Sequence, residues 1–335
     1  NKILTFYKEN KRQLPWRTIE DNNQNPYYTL VSEYMLQQTQ VKTALKYFQA
    51  FIKKWPKIEN LANANEEEVL TIWSGLGYYN RAKNLLKTAK IIKKEYKGII
   101  PFQKESLLKL PGIGIYTAAA IRSFSFGKHE VVLDTNIKRF IFRIYGIHER
   151  YYKEKNILET YGNKLFPKNN TGKFAQAIMD FSSEICKKKN PKCNNCILND
   201  NCKYYKIGNL KDIKEKKIKK NKRFSFFYFH VFKQKYFFLK KRSSGKILGD
   251  LYEVPCSEWQ ENDWPNVEKK YENKTLVPQI FEYKFSHFSL YGKIILINVR
   301  KKKKLENNGI WITTKNLNTI PISSLTKKII NYSLK

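Results

Sequence analysis

Residues 110–118, LPGIGIYTA, place two glycines one residue apart behind a proline, between two stretches with helical periodicity. Glycines at alternate positions let the backbone approach another group closely, and the first turn of the following helix leaves N–H groups unpaired. A phosphate is a natural ligand of such donors. A structural αα-hairpin with a capping glycine explains the pattern equally well. The stretch therefore predicts a helical hairpin and leaves phosphate binding as a hypothesis.

The charge of the chain indicates the same kind of partner. The 335 residues contain 64 Lys and Arg against 29 Asp and Glu, a formal net charge of +35. Such a balance favours a polyanion, because neutralised phosphates release counterions, although part of the lysine content is typical of solvated faces. No stretch reaches the ~18 apolar residues of a membrane span, and the first residues lack the apolar segment of a secretory signal. We expect a cytoplasmic protein with no membrane partner.

Hydrophobic periodicity divides the chain into a helical part and a strand-rich part. Apolar residues recur at helical spacing over about residues 28–51 and in later stretches at 69–73, 82–96, 106–110, 116–124 and 137–145. Residues 206–223 are charged, poor in core formers and predicted to be a linker. Beyond them, FSFFYFHVF, KYFFLKKR and KIILINVR predict strands, and a last helix is expected near residues 325–332. The prediction is a mainly helical unit, 1–205, followed by a smaller α+β unit, 224–335.

Four of the five cysteines form a C-x6-C-x2-C-x5-C cluster: Cys186, Cys193, Cys196 and Cys202. This spacing brings four thiolates to one metal centre by local folding, and four thiolates suit zinc or an iron–sulfur cluster. A reducing compartment disfavours two disulfides. Zinc sites usually have two short knuckles and only one is short here, which favours the larger cluster and leaves zinc as the rival. Cys256 stands apart and is expected in a core.

Several motifs taken together resemble a known family. LPGIGIYTA followed by LDTNIKR, residues 133–139, resembles the helix-hairpin-helix and catalytic aspartate of the endonuclease III superfamily of DNA glycosylases. Three further stretches are similar to the adenine DNA glycosylase (MutY) family: SEYMLQQTQV (32–41), WSGLGYYNRAKNL (73–85) and FSHF (285–288). The resemblance implies a monofunctional enzyme that hydrolyses the N-glycosidic bond of adenine mispaired with 8-oxoguanine or guanine and leaves an abasic site.

The resemblance also implies an architecture, a cofactor and a partner. A six-helix subdomain would span about 27–130 with the helix-hairpin-helix at 104–125, and residues 1–26 and 131–205 would form the iron–sulfur subdomain. The four clustered cysteines would hold one 4Fe-4S cluster. Residues 224–335 would form a Nudix-like domain that recognises the lesion. The expected partner is double-stranded DNA containing an adenine:8-oxoguanine mispair, bound by a monomer.

Cleavage of the bond between adenine and deoxyribose needs a proton on the leaving base and stabilisation of a cationic sugar. One carboxyl group should therefore be neutral and another ionised. Glu33 lies among apolar residues that should raise its pKa, and the resemblance gives it the role of proton donor. Asp134 begins a helix whose dipole favours its carboxylate, and Asn136 is expected to orient it. Tyr116 stands where lyase relatives carry a lysine that forms a Schiff base.

The resemblance assigns DNA contacts to three further groups of residues. Because the target base must leave the stack, some of them are expected to wedge into the duplex. The wedge and hairpin residues are Gln37, Gln38, Thr39, Leu76, Tyr78, Gly112 and Gly114. Phe285, Ser286 and His287 are expected to meet 8-oxoguanine, and Asp180 is expected near the adenine pocket.

Two other classes remain open from the sequence. A bifunctional endonuclease III-like glycosylase/lyase would share the helical unit and the cysteine cluster, but it should carry lysine in place of Tyr116 and lack the FSH tripeptide. A non-catalytic iron–sulfur DNA-binding protein would need neither Glu33 nor Asp134.

Overall fold

The computed structural model describes residues 2–20, 23–148, 151, 154–208, 220–266, 274–302, 305 and 307–334. They fall into two compact units. The first contains the described residues up to 63 and from 84 to 208, and the second contains 64–83 and the described residues from 220 onward. Most of the predicted linker, at 209–219, lies outside the described residues.

The helices of the described chain account for most of its first two hundred residues. In chain order they are α1 (Lys2–Asn10), α2 (Pro26–Leu36), α3 (Val41–Lys54), α4 (Ile58–Ala62), α5 (Glu66–Trp73), α6 (Asn80–Glu95), α7 (Lys104–Leu108), α8 (Ile115–Phe126), α9 (Thr135–Tyr145), α10 (Lys155–Leu165), α11 (Thr171–Glu184), α12 (Lys203–Ile207) and α13 (Ser324–Ser333). Helices α5 and α13 belong to the second unit, and α6 begins in the second unit and continues in the first.

Helix α2 begins where the sequence supplies both a cap and a pre-set backbone. The side chain of Asn25 accepts hydrogen bonds from the N–H groups of Tyr27 and Tyr28, and Pro26 occupies the first helical turn. The helical stripe predicted over residues 28–51 is interrupted, because α2 ends at Leu36 and α3 begins at Val41. Gln38 has φ 57° in the intervening turn, which ends the first helix. The interruption leaves Gln37–Gln40 as a loop directly after α2.

The core of the first unit is built around α11. Buried apolar residues of α1, α9 and α10 pack with Ile178 and Phe181, and the ring of Phe181 meets those of Phe6 and Phe140 edge to face. Gly172 lets α11 approach α8 closely, since a Cβ there would lie 2.4 Å from the backbone oxygen of Ser123. This packing holds together α8, α9 and α11, three of the helices that line the cavity described below.

The second unit contains a mixed sheet. Its strands are β3 (Asn221–Phe232), β4 (Tyr236–Lys241), β5 (Tyr252–Glu253), β6 (Gln260–Glu261), β7 (Lys274–Leu276), β8 (Phe281–Lys284), β9 (Phe288–Asn298) and β10 (Gly309–Ile312), whereas β1 (Ile19–Glu20) and β2 (Asn23–Gln24) form a small ribbon in the first unit. The order through the main path is β10-β4-β3-β9-β7. The central strands β3 and β9 are parallel, with Phe227 opposite Ile294, and their near-continuous apolar runs suit a sheet covered on both faces.

The predicted fold class is confirmed: a helical unit comes first, and a smaller α+β unit with strands at the three predicted runs follows. The last helix, α13, lies where it was expected and is capped by the hydroxyl of Ser323, which accepts from the N–H of Thr326. Within the described part of the chain, every helix is too short or too polar to cross a bilayer.

Candidate active site

The first unit contains a cavity of about 630 Å³ that gathers the predicted catalytic residues. Its walls come mainly from α2, α8, α9 and α11, with further residues from β2, from the start of α3 and from the chain around residues 12–17. The predicted residues that line it are Glu33, Gln37, Gln38, Thr39, Tyr116, Asp134 and Asn136. Most of the residues that line the cavity are polar or charged, and they stand beside apolar side chains such as Leu36, Phe124 and Met179. Such a mixture suits a site that binds an organic base.

Glu33 is a buried carboxyl group on α2, with 6% of its surface exposed. Burial raises its pKa from the usual 4.5 to about 7, and the negative charge of Asp134 acts in the same direction. The Tyr116 hydroxyl donates a hydrogen bond to it and opposes the shift. Glu33 can therefore hold a proton at neutral pH and still release it. A pKa near the working pH is what a general acid requires.

Asp134 is also buried but has more donors around it. It caps α9, where its Oδ1 accepts the N–H of Ile137 at 2.6 Å and its Oδ2 accepts the side-chain N–H of Asn136 at 2.9 Å. Burial raises the pKa of Asp134 above its usual value, although these two hydrogen bonds and the charge of Arg139 act against the rise. The donors and the N-terminus of α9 favour the carboxylate, which is the form that can stabilise a cationic sugar.

Asn136 is held in turn by a guanidinium that the sequence did not single out. Arg139 donates from Nη2 to the side-chain oxygen of Asn136 and to the backbone oxygen of Ser182, both at 3.0 Å. Its Nε donates to the backbone oxygen of Cys186, also at 3.0 Å. Arg139 thus joins the first cysteine of the cluster to the side chain that orients Asp134. Its place in the LDTNIKR motif was the available signal.

Tyr116 projects into the cavity from the first turn of α8. Burial, and the charges of Glu33 and Asp134, raise the pKa of this phenol well above 10. Tyr116 therefore stays protonated and acts as a hydrogen-bond donor. An amine does line the same cavity, that of Lys138, one turn after Asp134 on α9.

Asp180 does not line the cavity itself, but it pairs with two residues that do. Its carboxylate is 2% exposed and pairs with Arg12 at 2.6 Å and Arg17 at 2.7 Å. These ion pairs hold its pKa below the usual value despite burial. The two arginines, and also Gln176, line the cavity and were missed by sequence reasoning. No local pattern could link Arg17 to a carboxylate 163 positions away.

The four clustered cysteines come together at a second, smaller cavity of about 30 Å³. None of them is in a disulfide. Arg143, buried beneath them, donates to the backbone oxygen of Lys187 at 2.6 Å and to the Cys186 sulfur at 3.5 Å. Elsewhere in the described residues, and here too, no three His, Cys, Asp or Glu side chains are arranged to hold a single metal ion.

The hairpin turn around Gly112 has the backbone that the sequence indicated. Gly112 has φ +82°, in the left-handed region, and Gly114 caps α8 with open space where a Cβ would lie. From the end of α2, Gln37 donates through Nε2 to the backbone oxygen of Gly112 at 3.2 Å. The turn therefore presents backbone to solvent on one side and is held by α2 on the other.

The remaining predicted DNA contacts lie in the second unit. Tyr78 has φ 48° and is 44% exposed, whereas Leu76 is buried. Ser286 and His287 form the exposed tip of the loop between β8 and β9, and the hydroxyls of Tyr78 and Ser286 share a hydrogen bond of 2.5 Å. Phe285 anchors this loop, because its ring stacks on that of Phe288 at 4.5 Å.

Comparison with known proteins agrees first on the class. Residues 31–168 match the family described as "HhH-GPD superfamily base excision DNA repair protein", and residues 227–332 match the NUDIX domain. A solved thermostable thymine-DNA glycosylase is 31% identical with a TM-score of 0.55, covering 61% of this chain and 94% of its own. An endonuclease III–DNA complex has the same fold, with a TM-score of 0.53 over 62% of this chain and 92% of that chain, at 22% identity. These matches define a helix-hairpin-helix base-excision protein.

The relatives by sequence narrow the class to one family. An adenine DNA glycosylase of Buchnera aphidicola subsp. Baizongia pistaciae is 39% identical over 98% of this chain and 94% of its own length. One from the subspecies Schizaphis graminum is 39% identical over 98% and 96%. The mouse adenine DNA glycosylase is 37% identical over 61% of this chain and 41% of its own length. The chain belongs to the adenine DNA glycosylase family.

The raised pKa of Glu33 has a consequence for stability that is independent of any substrate. Because the folded pKa of about 7 exceeds the usual 4.5, wild-type protein should lose stability as pH rises through this window. The variant Glu33→Gln avoids the cost of ionisation. We expect it to exceed wild type in free energy of unfolding by about 3 kcal/mol at pH 8 and by almost nothing at pH 4.5.

Urea unfolding of both proteins across this range measures the difference. The control is Glu105→Gln, on an exposed face of α7, which should change stability by less than about 0.5 kcal/mol at either pH. A gap between Glu33→Gln and wild type that does not grow with pH would show that the buried carboxyl is not protonated near neutrality.

Proposed function

We propose that this protein is an adenine-specific DNA N-glycosylase that hydrolyses the bond between deoxyribose and adenine mispaired with 8-oxoguanine, leaving an abasic site. The observation that carries the proposal is the pair of buried carboxyl groups in one cavity, Glu33 with a pKa of about 7 and Asp134 with donors that favour its anion. A cavity of about 630 Å³ has room for an extruded base and its sugar.

The two carboxyl groups have different roles in the proposed reaction, one as proton donor and the other as a stabilising anion. Protonated Glu33 donates its proton to the leaving adenine, and Tyr116 keeps the carboxyl oriented through its hydrogen bond. Asp134 as a carboxylate stabilises the developing oxocarbenium ion, while the Asn136 amide holds it in place. Glu33, once ionised, can then accept a proton from the attacking water. The same two groups therefore serve both bond breaking and water attack.

Tyr116 decides the product. A lyase needs an amine that forms a Schiff base with the sugar, and a protonated phenol cannot do so. The bifunctional alternative nevertheless has one specific observation in its favour, since Lys138 lines the cavity. Lys138 follows Asp134 by one helical turn on α9, and no hydrogen bond or charge from it acts on Glu33 or Asp134 among the causes of their pKa shifts. We therefore propose a monofunctional enzyme in which strand breaks at the abasic site depend on added alkali.

We propose further that Cys186, Cys193, Cys196 and Cys202 hold one 4Fe-4S cluster. Four thiols free of disulfides, lining one small cavity beside the buried guanidinium of Arg143, fit an anionic thiolate-ligated cluster. Hydrolysis transfers no electrons, so the role of the cluster would be structural: it would hold its loop in one conformation. Arg139 donates to the backbone oxygen of Cys186 in that loop, so a fixed loop would also fix Arg139 beside the active site.

Duplex DNA with the adenine:8-oxoguanine mispair is the substrate that we propose for a monomeric enzyme in the cytoplasm of a cell without a nucleus. Ser286 and His287 at an exposed loop tip can donate and accept hydrogen bonds at the altered edge of the lesion. Phe285 fixes the backbone of that loop by stacking. Tyr78, which shares a hydrogen bond with Ser286, is the side chain that we place in the duplex beside the lesion.

The central experiment uses a duplex with one adenine opposite 8-oxoguanine, an adenine:thymine control, and the variants Glu33→Gln and Asp134→Asn. We expect adenine release from the mispair alone, strand breaks only after alkali, and a loss of at least ~10²-fold in single-turnover rate for each variant. Breaks without alkali that disappear in Lys138→Ala would favour the lyase. Unimpaired duplex binding with no base release by wild type would favour the non-catalytic DNA-binding protein.

Lesion recognition predicts a second result. Ser286→Ala removes one hydrogen bond to 8-oxoguanine, so the preference for adenine:8-oxoguanine over adenine:guanine in single-turnover rate should fall about tenfold. Ser333→Ala, whose hydroxyl bonds to the backbone oxygen of Ile329 in α13, is the matched control. If both variants show the same preference for adenine:8-oxoguanine over adenine:guanine, Ser286 does not take part in lesion recognition.

The iron, sulfide and zinc content of the purified protein tests the proposed cluster. Protein purified without oxygen should contain about four iron and four acid-labile sulfide per chain. Replacement of Cys196 by Ser should reduce the iron content and lower the thermal midpoint. One zinc per chain with no sulfide would instead support the tetrahedral zinc site.

A further inference from the structure

Two side chains at the end of α2 hold the hairpin turn, one within the helix and one directly after it. The Tyr34 hydroxyl donates to the backbone oxygen of Pro111, and Gln37, three residues later, donates to the backbone oxygen of Gly112 at 3.2 Å. Two consecutive carbonyl groups of the turn thus accept hydrogen bonds from Tyr34 in α2 and from Gln37, which follows the last residue of α2. Glu33, next to Tyr34 in the chain, points instead into the catalytic cavity.

The Tyr34 contact is buried and tightly packed. Tyr34 is fully buried, and its hydroxyl oxygen lies 3.0 Å from that of Thr88. Thr88 donates to the same Pro111 oxygen at 3.1 Å. The ring lies against the turn, since a Cβ added at Gly112 would stand 3.0 Å from its Cε1. A buried hydroxyl with this geometry leaves the turn little freedom to rotate.

The direction of a carbonyl group fixes the direction of the next N–H. In a planar trans peptide the C=O and the following N–H point to opposite sides. Because the Pro111 carbonyl points toward Tyr34, the N–H of Gly112 points away from α2. Shortly after this turn α8 begins at Ile115, which is 52% exposed, and Gly114 provides no side-chain cap. The N–H of Ile113 is already bonded to the backbone oxygen of Leu110, so the N–H groups of Gly112 and of the uncapped first turn of α8 are the candidate donors to a phosphate.

We propose that Tyr34 is a positioning residue that sets the hairpin turn in the orientation in which its N–H groups bind a DNA backbone phosphate. The inference rests on the proposed function, because duplex DNA supplies that phosphate. Tyr34 touches no DNA itself and acts through the Pro111 carbonyl. Its loss should therefore weaken binding to any duplex and leave the chemical step unchanged once the protein is saturated with DNA.

The chain offers a matched control on the same helix. Tyr27 is also buried, and its hydroxyl donates to a backbone carbonyl, that of Trp55, at 2.8 Å. Trp55 follows α3 and lies outside the hairpin. Tyr27→Phe and Tyr34→Phe each remove one buried hydroxyl from α2, so they should cost similar stability. Only Tyr34→Phe releases the turn.

The experiment measures duplex affinity in the full chain carrying Glu33→Gln, which blocks turnover. Fluorescence anisotropy with the adenine:8-oxoguanine duplex at several salt concentrations gives the Kd and its salt dependence. For Tyr34→Phe we expect the Kd to rise about fivefold and the slope of log affinity against log salt to decrease by about one. Tyr27→Phe should stay within twofold of its parent. In chains with Glu33 intact, single-turnover rates at saturating protein should agree within twofold.

The possible results distinguish a failure of the positioning role from a failure of the proposed function. Equal Kd values for Tyr34→Phe, Tyr27→Phe and their parent would overturn the positioning role while leaving the proposed function standing. A parent with no salt-dependent duplex binding would remove the proposed function itself. Should Tyr34→Phe not fold, Thr88→Val tests the same carbonyl: a Kd two- to threefold above the parent supports the role, and an unchanged Kd overturns it.

Discussion

The burial of two carboxyl groups in one cavity is the constraint on which the active site depends. Two carboxylates that face each other in a poorly solvated space repel, so at most one of them is readily ionised. In this protein the two carboxyl groups accept different numbers of hydrogen bonds. Asp134 accepts one from a backbone N–H and one from the Asn136 amide, whereas Glu33 accepts one from the Tyr116 phenol. The proton therefore resides on Glu33, the group that we propose as the donor to the leaving base.

This inequality is built from secondary structure. Asp134 gains its donors because it caps α9, and a cap residue meets the unpaired N–H groups of the first turn. Glu33 lies near the middle of α2, where the backbone donors are already used within the helix, and so it depends on the Tyr116 side chain. One carboxyl at the start of a helix and one in the interior of another are enough to separate their roles.

What could be predicted from the sequence was local in the chain. The capping position of Asp134, the glycine turn, the cysteine cluster and the central strands each lie in one short pattern, and the resemblance to a family brought Glu33 and Tyr116 together with them. The interrupted helix at Gln38 was missed because the apolar spacing of α2 and α3 continues in phase across the turn. The ion pair of Arg17 with Asp180 and the bond of Tyr78 with Ser286 could not be predicted, because they join residues 163 and 208 positions apart and depend on packing.

The large positive charge of the chain has opposing effects on substrate binding and on the acid. A net charge of +35 attracts DNA, but a positive field also favours an ionised Glu33 and works against its function as a proton donor. Solvent screening weakens that field over distances of about 10 Å, whereas desolvation acts at the carboxyl itself, which is why burial dominates the pKa. In the proposed reaction, binding of DNA would change both contributions in the same direction. Phosphates would neutralise the surrounding lysines and an extruded base would displace water from the cavity, and each of these changes would raise the pKa of Glu33. The proposed acid would then be most fully protonated when its substrate is in place.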